Sequence, residues 1–584
     1  MTSITTPKEA FINSCFNEYK STIRYYGVSI SEEGLKSIEA LLNAFYDSLE
    51  GKLAAKIYLN TLPPGFGKTE AIASFIKVWK ENGFHPAGGI LVGLQTKNEI
   101  EALVKRLDLA PEDVAVLTRD EEINALGSGD ANTAPVLITT QQMIIRRTAD
   151  RSFAAAREFH YQALPRALRI WDESYLPAKA IDLSLYDLQR LPSRLHRHFG
   201  SLVEHLNALA MQVRDAGEGD IVNIPGMLLK AMPAVREMQL QGRLKLAPDE
   251  LLILEKLELA AGRSMVVKSA RGSSNRMLIG SSRPLPDDLL PLIVTDASGR
   301  VRGTYDLMDQ ARGNLVRLPS AGADYSNLKI HLMSRASGKD ALADPDGNWP
   351  IYRHVVAEML RRPGRWLVIS YKADHQQDVE TAIKEALGGS VEFDFLHWGA
   401  HHGTNAFKDV ENIVVIGSYF YPDDSYRALA IAATGLPVGE MLEYDNSAFR
   451  ADEFKHNMYQ AILRGSARKA DAGVASPCKV FIVASPKNDA GELLAQTFPG
   501  ATIEPWGEPR RAEHTRHEKA LIDAIDALLP VGVQEVSKKK LGEYAGFSTK
   551  QELGRQLRRA AVLKYLASER IKIAHKKLYR VDEV

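Results

Sequence analysis

One short segment limits what this chain can fold into more than any other. It runs Lys56-Ile-Tyr-Leu-Asn60, then Leu62-Pro-Pro-Gly65-Phe-Gly67-Lys68-Thr69, then on through the helical spacing of Thr69–Trp79. A strand that meets two closely spaced glycines and then a helix N-terminus is a place where backbone N–H groups converge on an anion. Gly65 and Gly67 allow the tight turn and the close backbone approach that such a cradle needs. Lys68 would reach the outer phosphates of a nucleotide, and the Thr69 hydroxyl would hold a magnesium ion.

The surrounding pattern has the layers such a loop requires. Apolar, β-branched runs that read as strands recur at Lys56–Thr61, Gly89–Gly93, Val114–Leu117, Val136–Thr139, Leu168–Trp171 and Leu292–Thr295. Between them lie helical spacings such as Ile100, Leu103, Val104 and Leu107. A second set follows at Lys329–Met333, Trp366–Ser370, Val391–Leu396, Ile413–Gly417 and Val480–Ala484. Near-continuous apolar strands separated by helices indicate parallel sheets covered on both faces. The fold class is therefore α/β with two doubly wound domains in tandem, their ligands outside the carboxyl ends of the strands.

We divide the chain into an N-terminal helical region (1–50), a first α/β domain (51–325), a second (326–510) and a C-terminal helical, basic domain (511–584). The first α/β domain is interrupted at about 180–290, where leucine-rich spacing such as Leu251–Leu259 predicts a mainly helical insertion. Gly- and Pro-rich stretches at Ser281–Asp288, Gly338–Pro350 and Ala467–Pro477 read as linkers. From Ser537 onward the chain holds thirteen Lys or Arg against five Asp or Glu, a net of +8 within a chain whose overall net charge is zero. Helix, glycine turn, basic helix and a strand pair at Arg570–Arg580 outline a helix-turn-helix or winged-helix module.

Two distant cysteines, Cys15 and Cys478, exclude a disulfide framework and a cysteine-rich zinc module. They fit a reduced, cytoplasmic setting. No signal peptide is expected from the first residues, and no apolar run approaches membrane-spanning length.

A second motif supports the phosphate loop. Arg169-Ile-Trp171-Asp172-Glu173-Ser174 places an Asp-Glu pair at the end of an apolar strand. There an Asp holds magnesium through water and the next Glu polarises the attacking water. With both motifs placed, the chain resembles the superfamily 2 helicases and translocases, whose phosphate loop takes the shortened form Pro64-Gly65-Phe66-Gly67-Lys68-Thr69 with no leading glycine at Leu62. Other segments follow in the family's order. Gln95-Thr96 resembles motif Ia, Thr139-Thr140-Gln141 the short Thr-rich motif, and Thr295-Asp296-Ala297-Ser298 motif III. Ser370-Tyr-Lys372 resembles motif IV, and Gly399–Asp409 motif V, with Asn405 where Asp is usual. Gln460-Ala-Ile-Leu463-Arg464-Gly-Ser-Ala-Arg468 resembles motif VI, although Arg468 falls one residue late and Leu463 replaces a glycine.

The resemblance implies two RecA-like domains sharing one ATP–Mg2+ site. Pro64, Gly65, Phe66, Gly67, Lys68, Thr69, Glu70 and Gln460 would contact the nucleotide, and Thr69 and Asp172 the metal. Lys68 and Glu173 would carry catalysis with Arg464 and Arg468, either of which could be the finger that meets the γ-phosphate. Gln95, Thr96, Thr139, Thr140, Gln141, Lys372, Thr404 and Asn405 would touch a sugar-phosphate backbone without reading bases.

Plainer roles compete for several of these residues. Thr139 and Thr140 also suit β-branched strand filler, and Trp366 and Trp398 a core. His397, His401 and His402 fit packing or nucleic-acid contact better than a metal site, and the basic tail also suits a helix docked on the body. The expected function is an ATP-dependent helicase or translocase, with DNA favoured over RNA by the tail and no membrane partner. A duplex-DNA remodelling or packaging motor and a nucleotide-gated initiation factor are the rivals. Glu173 argues against a pure switch, which can dispense with the water-activating residue.

Overall fold

The computed structural model describes residues 6–269, 276–374, 377–399, 406–419, 423–440, 443–485, 489–507, 516–529, 533–547 and 549–580. They fall into two compact units, Met1–Trp506 and Gly507–Val584. The larger unit opens with a helical pair, α1 (Pro7–Tyr25) and α2 (Glu32–Leu49). Thr6 and Glu9 close a reciprocal capping box at the start of α1, and Ser31 caps α2. The first sheet follows with β1 (Ile57–Asn60), α3 (Lys68–Glu81), β2 (Ile90–Leu94), α4 (Lys97–Leu107), β3 (Val114–Leu117), β4 (Val136–Thr140), β5 (Leu168–Asp172), β6 (Leu292–Thr295) and β7 (Leu315–Arg317).

These seven strands are ordered β7-β1-β6-β5-β2-β4-β3, and every pairing is parallel. The order matters more than the count. It sets β1, β6 and β5 side by side, so that the phosphate loop, Thr295-Asp296 and Asp172-Glu173 leave the sheet at neighbouring carboxyl ends. The second sheet contains β8 (Leu328–Ser334), β9 (Trp366–Ser370), β10 (Phe393–His397), β11 (Asn412–Ile416), β12 (Cys478–Ala484) and β13 (Thr502–Pro505). It too is wholly parallel, in the order β10-β9-β11-β12-β8-β13. Two such doubly wound parallel sheets follow in series, with the phosphate loop on the first. One continuous apolar core runs from Phe11, Phe45 and Phe75 beneath the first sheet to Tyr325, Tyr459 and Phe498 beside the second.

The insertion is mainly helical, as the sequence reading expects, but holds a sheet that reading did not foresee. Helices are present, among them Gly200–Asp215, Leu228–Leu240 and Pro248–Ala260. They pack, however, on a four-stranded antiparallel sheet of Ala180–Ser184, Arg276–Ser281, Ser264–Ser269 and Ile221–Asn223. Each strand turns only one or two apolar residues inward, such as Ile181 and Leu183 or Met265 and Val267, a signal too short to stand out beside leucine-rich helices. The sheet's other face, through Ile279 and its neighbours, packs on Ala428 and Ile431 of the helix Asp423–Thr434 from the second half.

Two proposed linkers are also structured. Gly338–Pro350 holds the helix Lys339–Ala343 and the start of Pro345–Arg361, because Pro and Gly open helices as readily as they interrupt them. Ala467–Pro477 contains a tight hairpin, Ala470–Asp471 with Val474–Ala475. Trp366 is fully buried against Phe481, and Trp398 stacks on Tyr419, so both serve the core. His401 and His402 lie outside the described residues.

The smaller unit has helices Arg516–Leu528, Lys538–Tyr544, Lys550–Gln556 and Ala560–Ser568. Its antiparallel sheet orders Glu535–Ser537, Lys577–Arg580 and Ile571–Ile573 with the second of these in the centre. Helices followed by a strand hairpin form a winged-helix-like arrangement. No helix among the described residues is long and apolar enough to cross a membrane.

Candidate active site

The phosphate loop is built as its residues require. Gly65 and Gly67 adopt φ of +85° and +73°, in the left-handed region that glycine enters without penalty. A methyl group at either position would collide. At Gly65 it would stand 2.3 Å from the Arg468 carbonyl oxygen, and at Gly67 2.7 Å from the Ile23 side chain. Leu62 is fully buried and packs into the core, which explains why glycine is not needed there. Lys68, the first residue of α3, folds its ammonium inside the loop and donates to the carbonyls of Leu62 (2.6 Å) and Pro63 (3.3 Å). Burial pushes its pKa down, against the pull of Glu173, Asp172 and Asp296. Thr69 follows in the first turn, half-buried.

Two residues expected at the nucleotide face elsewhere. The Glu70 carboxylate pairs with Arg106 of α4 at 3.0 Å, because the helical repeat carries it round to the neighbouring helix. The Phe66 ring is fully buried and lies 3.0 Å from where a side chain on Gly34 would stand, so Phe66 offers the loop only its backbone.

Asp172 ends β5. Its carboxylate accepts the Thr295 hydroxyl at 2.5 Å, and its carbonyl accepts the Gln141 amide at 2.5 Å. Burial raises the Asp172 pKa. Glu173 takes φ +73°, an uncommon conformation for a residue with a side chain and one that clusters at functional sites. Its N–H donates to the Thr295 carbonyl at 3.3 Å. Burial, then Asp172 and Asp296, push its pKa up to about 7, opposed by Lys68 and Arg464.

Asp296 lies in the segment that resembles motif III but has no role of its own assigned by the sequence alone. It accepts the Ser298 N–H (2.8 Å), the Ser298 hydroxyl (2.6 Å) and the Tyr305 hydroxyl (2.8 Å), while the Tyr175 N–H donates to Tyr305 at 3.1 Å. That chain of bonds joins the segment after Glu173 to the segment after β6. The signal that would have found Asp296 is its place at a strand end beside β1 and β5.

The second half supplies the arginines. Helix Asn446–Ile462 carries Gln460, whose side-chain oxygen accepts the Arg464 guanidinium at 2.6 Å and whose carbonyl accepts it at 3.1 Å. Gln460 therefore orients Arg464. Burial lowers the Arg464 pKa, against Glu173 and Glu99. Arg468 is brought down to about 10 by burial and by Arg464, again against Glu173. Both guanidinium groups thus share the field of Glu173. A buried ion pair closes the same junction, Arg302 to Glu453 at 3.0 Å. Burial works against the Arg302 charge, but Glu453 more than offsets it and holds the pKa above its ordinary value.

The expected nucleic-acid contacts fare unevenly. Thr139 is fully buried and donates its hydroxyl to the Leu117 carbonyl at 2.6 Å, so it joins two strands and faces no ligand. Gln141 is buried and tied to the Asp172 carbonyl. Thr96 and Thr140 are half-buried helix caps. Gln95 is half-buried and Lys372 exposed. Thr404 and Asn405 lie outside the described residues.

No protein-family model matches the chain, and no curated protein matches it either. Solved structures do. An apo XPD structure is 16% identical over 80% of this chain and 99% of its own, with a TM-score of 0.46. S. tokodaii Xpd4 is 12% identical over 79% of this chain and 98% of its own, with a TM-score of 0.43. S. cerevisiae Dbp5 bound to RNA and ADP BeF3 is 11% identical over 82% and 95%, with a TM-score of 0.29.

Proposed function

We propose that this chain hydrolyses ATP in the junction between its two parallel-sheet halves and uses the cycle to move along nucleic acid as a helicase or translocase, with DNA as the substrate. One observation carries the reading. Lys68, Asp172 and Glu173 from the first sheet and Arg464 and Arg468 from the second share one charge cluster, with Lys68 and Arg464 buried and the others half-buried.

The residues present suit ATP and Mg2+. Gly65 and Gly67 permit a tight loop in which a side chain would collide with the Arg468 carbonyl or with Ile23, and Lys68 lies inside that loop. The loop amides and Lys68 would hold the phosphates, and Thr69 and Asp172 the metal. Bound Mg2+ supplies charge neutralisation on the phosphate oxygens. Glu173, with a pKa near neutrality, orients the attacking water and accepts its proton. Arg464 and Arg468 face the charge that develops on the transferred phosphoryl group, and its loss removes their partner. That difference lets the nucleotide bias one half against the other.

The basic smaller unit supports DNA as the polymer, through half-buried Lys538 and exposed Lys539, Lys540, Lys550, Arg555 and Arg558. The test is ATP turnover without polymer, with single strands, with duplex and with tailed duplex. Stimulation by single strands with displacement of a labelled strand supports a helicase, whereas stimulation by duplex alone supports a duplex motor. Indifference to every polymer contradicts the proposal.

A further inference from the structure

The α1–α2 helical pair has no part in the catalysis just described, yet it touches both sides of the site. On the phosphate-loop side, the buried Tyr19 hydroxyl donates to the Phe66 carbonyl at 2.8 Å. Ile23 and Tyr19 also occupy the space where a side chain on Gly67 would stand. On the arginine side, the turn joining the two helices meets the hairpin that follows Arg468. The Ala472 N–H donates to the Ser29 carbonyl (3.1 Å) and to the Ser29 hydroxyl oxygen (2.8 Å), while that hydroxyl donates to the Asp471 carboxylate. Ala472 and Gly473 form the tip of the hairpin at φ +49° and +88°, and Ser31 lies beneath Gly473. The Arg468 carbonyl, just before the hairpin, rests on Gly65.

We propose that the α1–α2 turn is a strut seating the arginine-bearing segment on the phosphate loop, with Ser29 a positioning residue for Arg468 and Tyr19 the anchor at the loop. This rests on the ATPase reading above. One hydroxyl serves the hairpin tip twice, as acceptor from its N–H and donor to its carboxylate, so it fixes the tip in direction as well as distance. A catalytic group displaced by about 1 Å loses up to about a hundredfold in rate. Ser29 is exposed and touches no nucleotide-binding residue, so its removal changes the seating and leaves the cradle intact.

The experiment is steady-state phosphate release by the full chain with ATP and single-stranded DNA. Ser29→Ala is expected to lower kcat by about tenfold with KM for ATP within twofold, a partial form of that positional loss. Ser29→Thr keeps the hydroxyl and should turn over as wild type, and Asp471→Ala should behave as Ser29→Ala. In an Arg468→Ala background, Ser29→Ala should cost nothing more. A wild-type kcat in Ser29→Ala overturns the strut, as does an equal fall in both backgrounds, which would mark a merely structural role. Turnover by the wild type with an indifferent Ser29→Ala defeats the strut alone. Absence of any wild-type turnover defeats the ATPase reading and the strut with it.

Discussion

Replacing Glu173 with Gln separates the chemistry of this site from its stability. The folded protein raises the Glu173 pKa from an ordinary 4.5 to about 7, chiefly by burial and then by Asp172 and Asp296. A carboxyl with a raised folded-state pKa is at its most favourable when protonated. Its contribution is therefore fully present below pH 4.5 and is lost as the pH climbs through about 7. A shift of that size corresponds to about 3 kcal/mol. Residual solvent access at Glu173 reduces this to about 2 kcal/mol. Gln keeps the shape without the charge, so Glu173→Gln should be more stable than wild type at pH 8.5 by about that amount. For a unit of this size that is a rise of about 2 °C in Tm. At pH 5 the two proteins should melt together. Turnover should move the other way, falling by about 10²–10⁴-fold at pH 8.5, where the wild-type proton acceptor is ionised, and by less at lower pH. Wild-type turnover should itself decline as the pH drops below about 7, as the base becomes protonated. Paired melts at the two pH values, with phosphate release on the same samples, check both halves. Equal Tm differences at pH 5 and pH 8.5 would refute the buried-charge argument, and full activity in the variant would refute the role.

Other expectations follow from the same geometry. Arg302→Met strands the buried Glu453 carboxylate and should destabilise the chain by about 3–5 kcal/mol, while Arg302→Met with Glu453→Met should recover most of that in a urea titration. Thr139→Val should leave nucleic-acid affinity unchanged and cost about 1 kcal/mol of stability, since its hydroxyl bonds only to the Leu117 carbonyl. Replacing Lys538, Lys539 and Lys540 together with Ala should weaken DNA binding and flatten the slope of log affinity against log salt by up to about 3, measured by anisotropy.

The parts of the fold that were legible in sequence share one property, a dense local signal. β-branched runs such as Ile90–Leu94 and Val136–Thr140 are buried on both faces and need no partner to be recognised. The phosphate loop and Asp172-Glu173 were legible because their chemistry lies within a few residues. What was missed depends on distant partners. The edge strands β7 and β13 are short and borrow their order from the strands they join. The insertion's sheet is antiparallel and reveals itself only when four separated segments meet. Adjacent Thr139 and Thr140 look alike in sequence, yet alternation along the strand buries the first and frees the second to cap a helix. Asp296 and Tyr305 become site residues only because β6 inserts between β1 and β5. The direction of Glu70 was set by Arg106 on another helix.

The central claim is that one ATP site is assembled from both halves of the larger unit. The most direct test is phosphate release by Lys68→Ala, which removes the first half's contribution, beside the double variant Arg464→Ala with Arg468→Ala, which removes the second's. The account predicts that each abolishes nucleic-acid-stimulated turnover. Turnover in the double arginine variant at the wild-type rate would contradict it, because the second sheet would then lie outside the site.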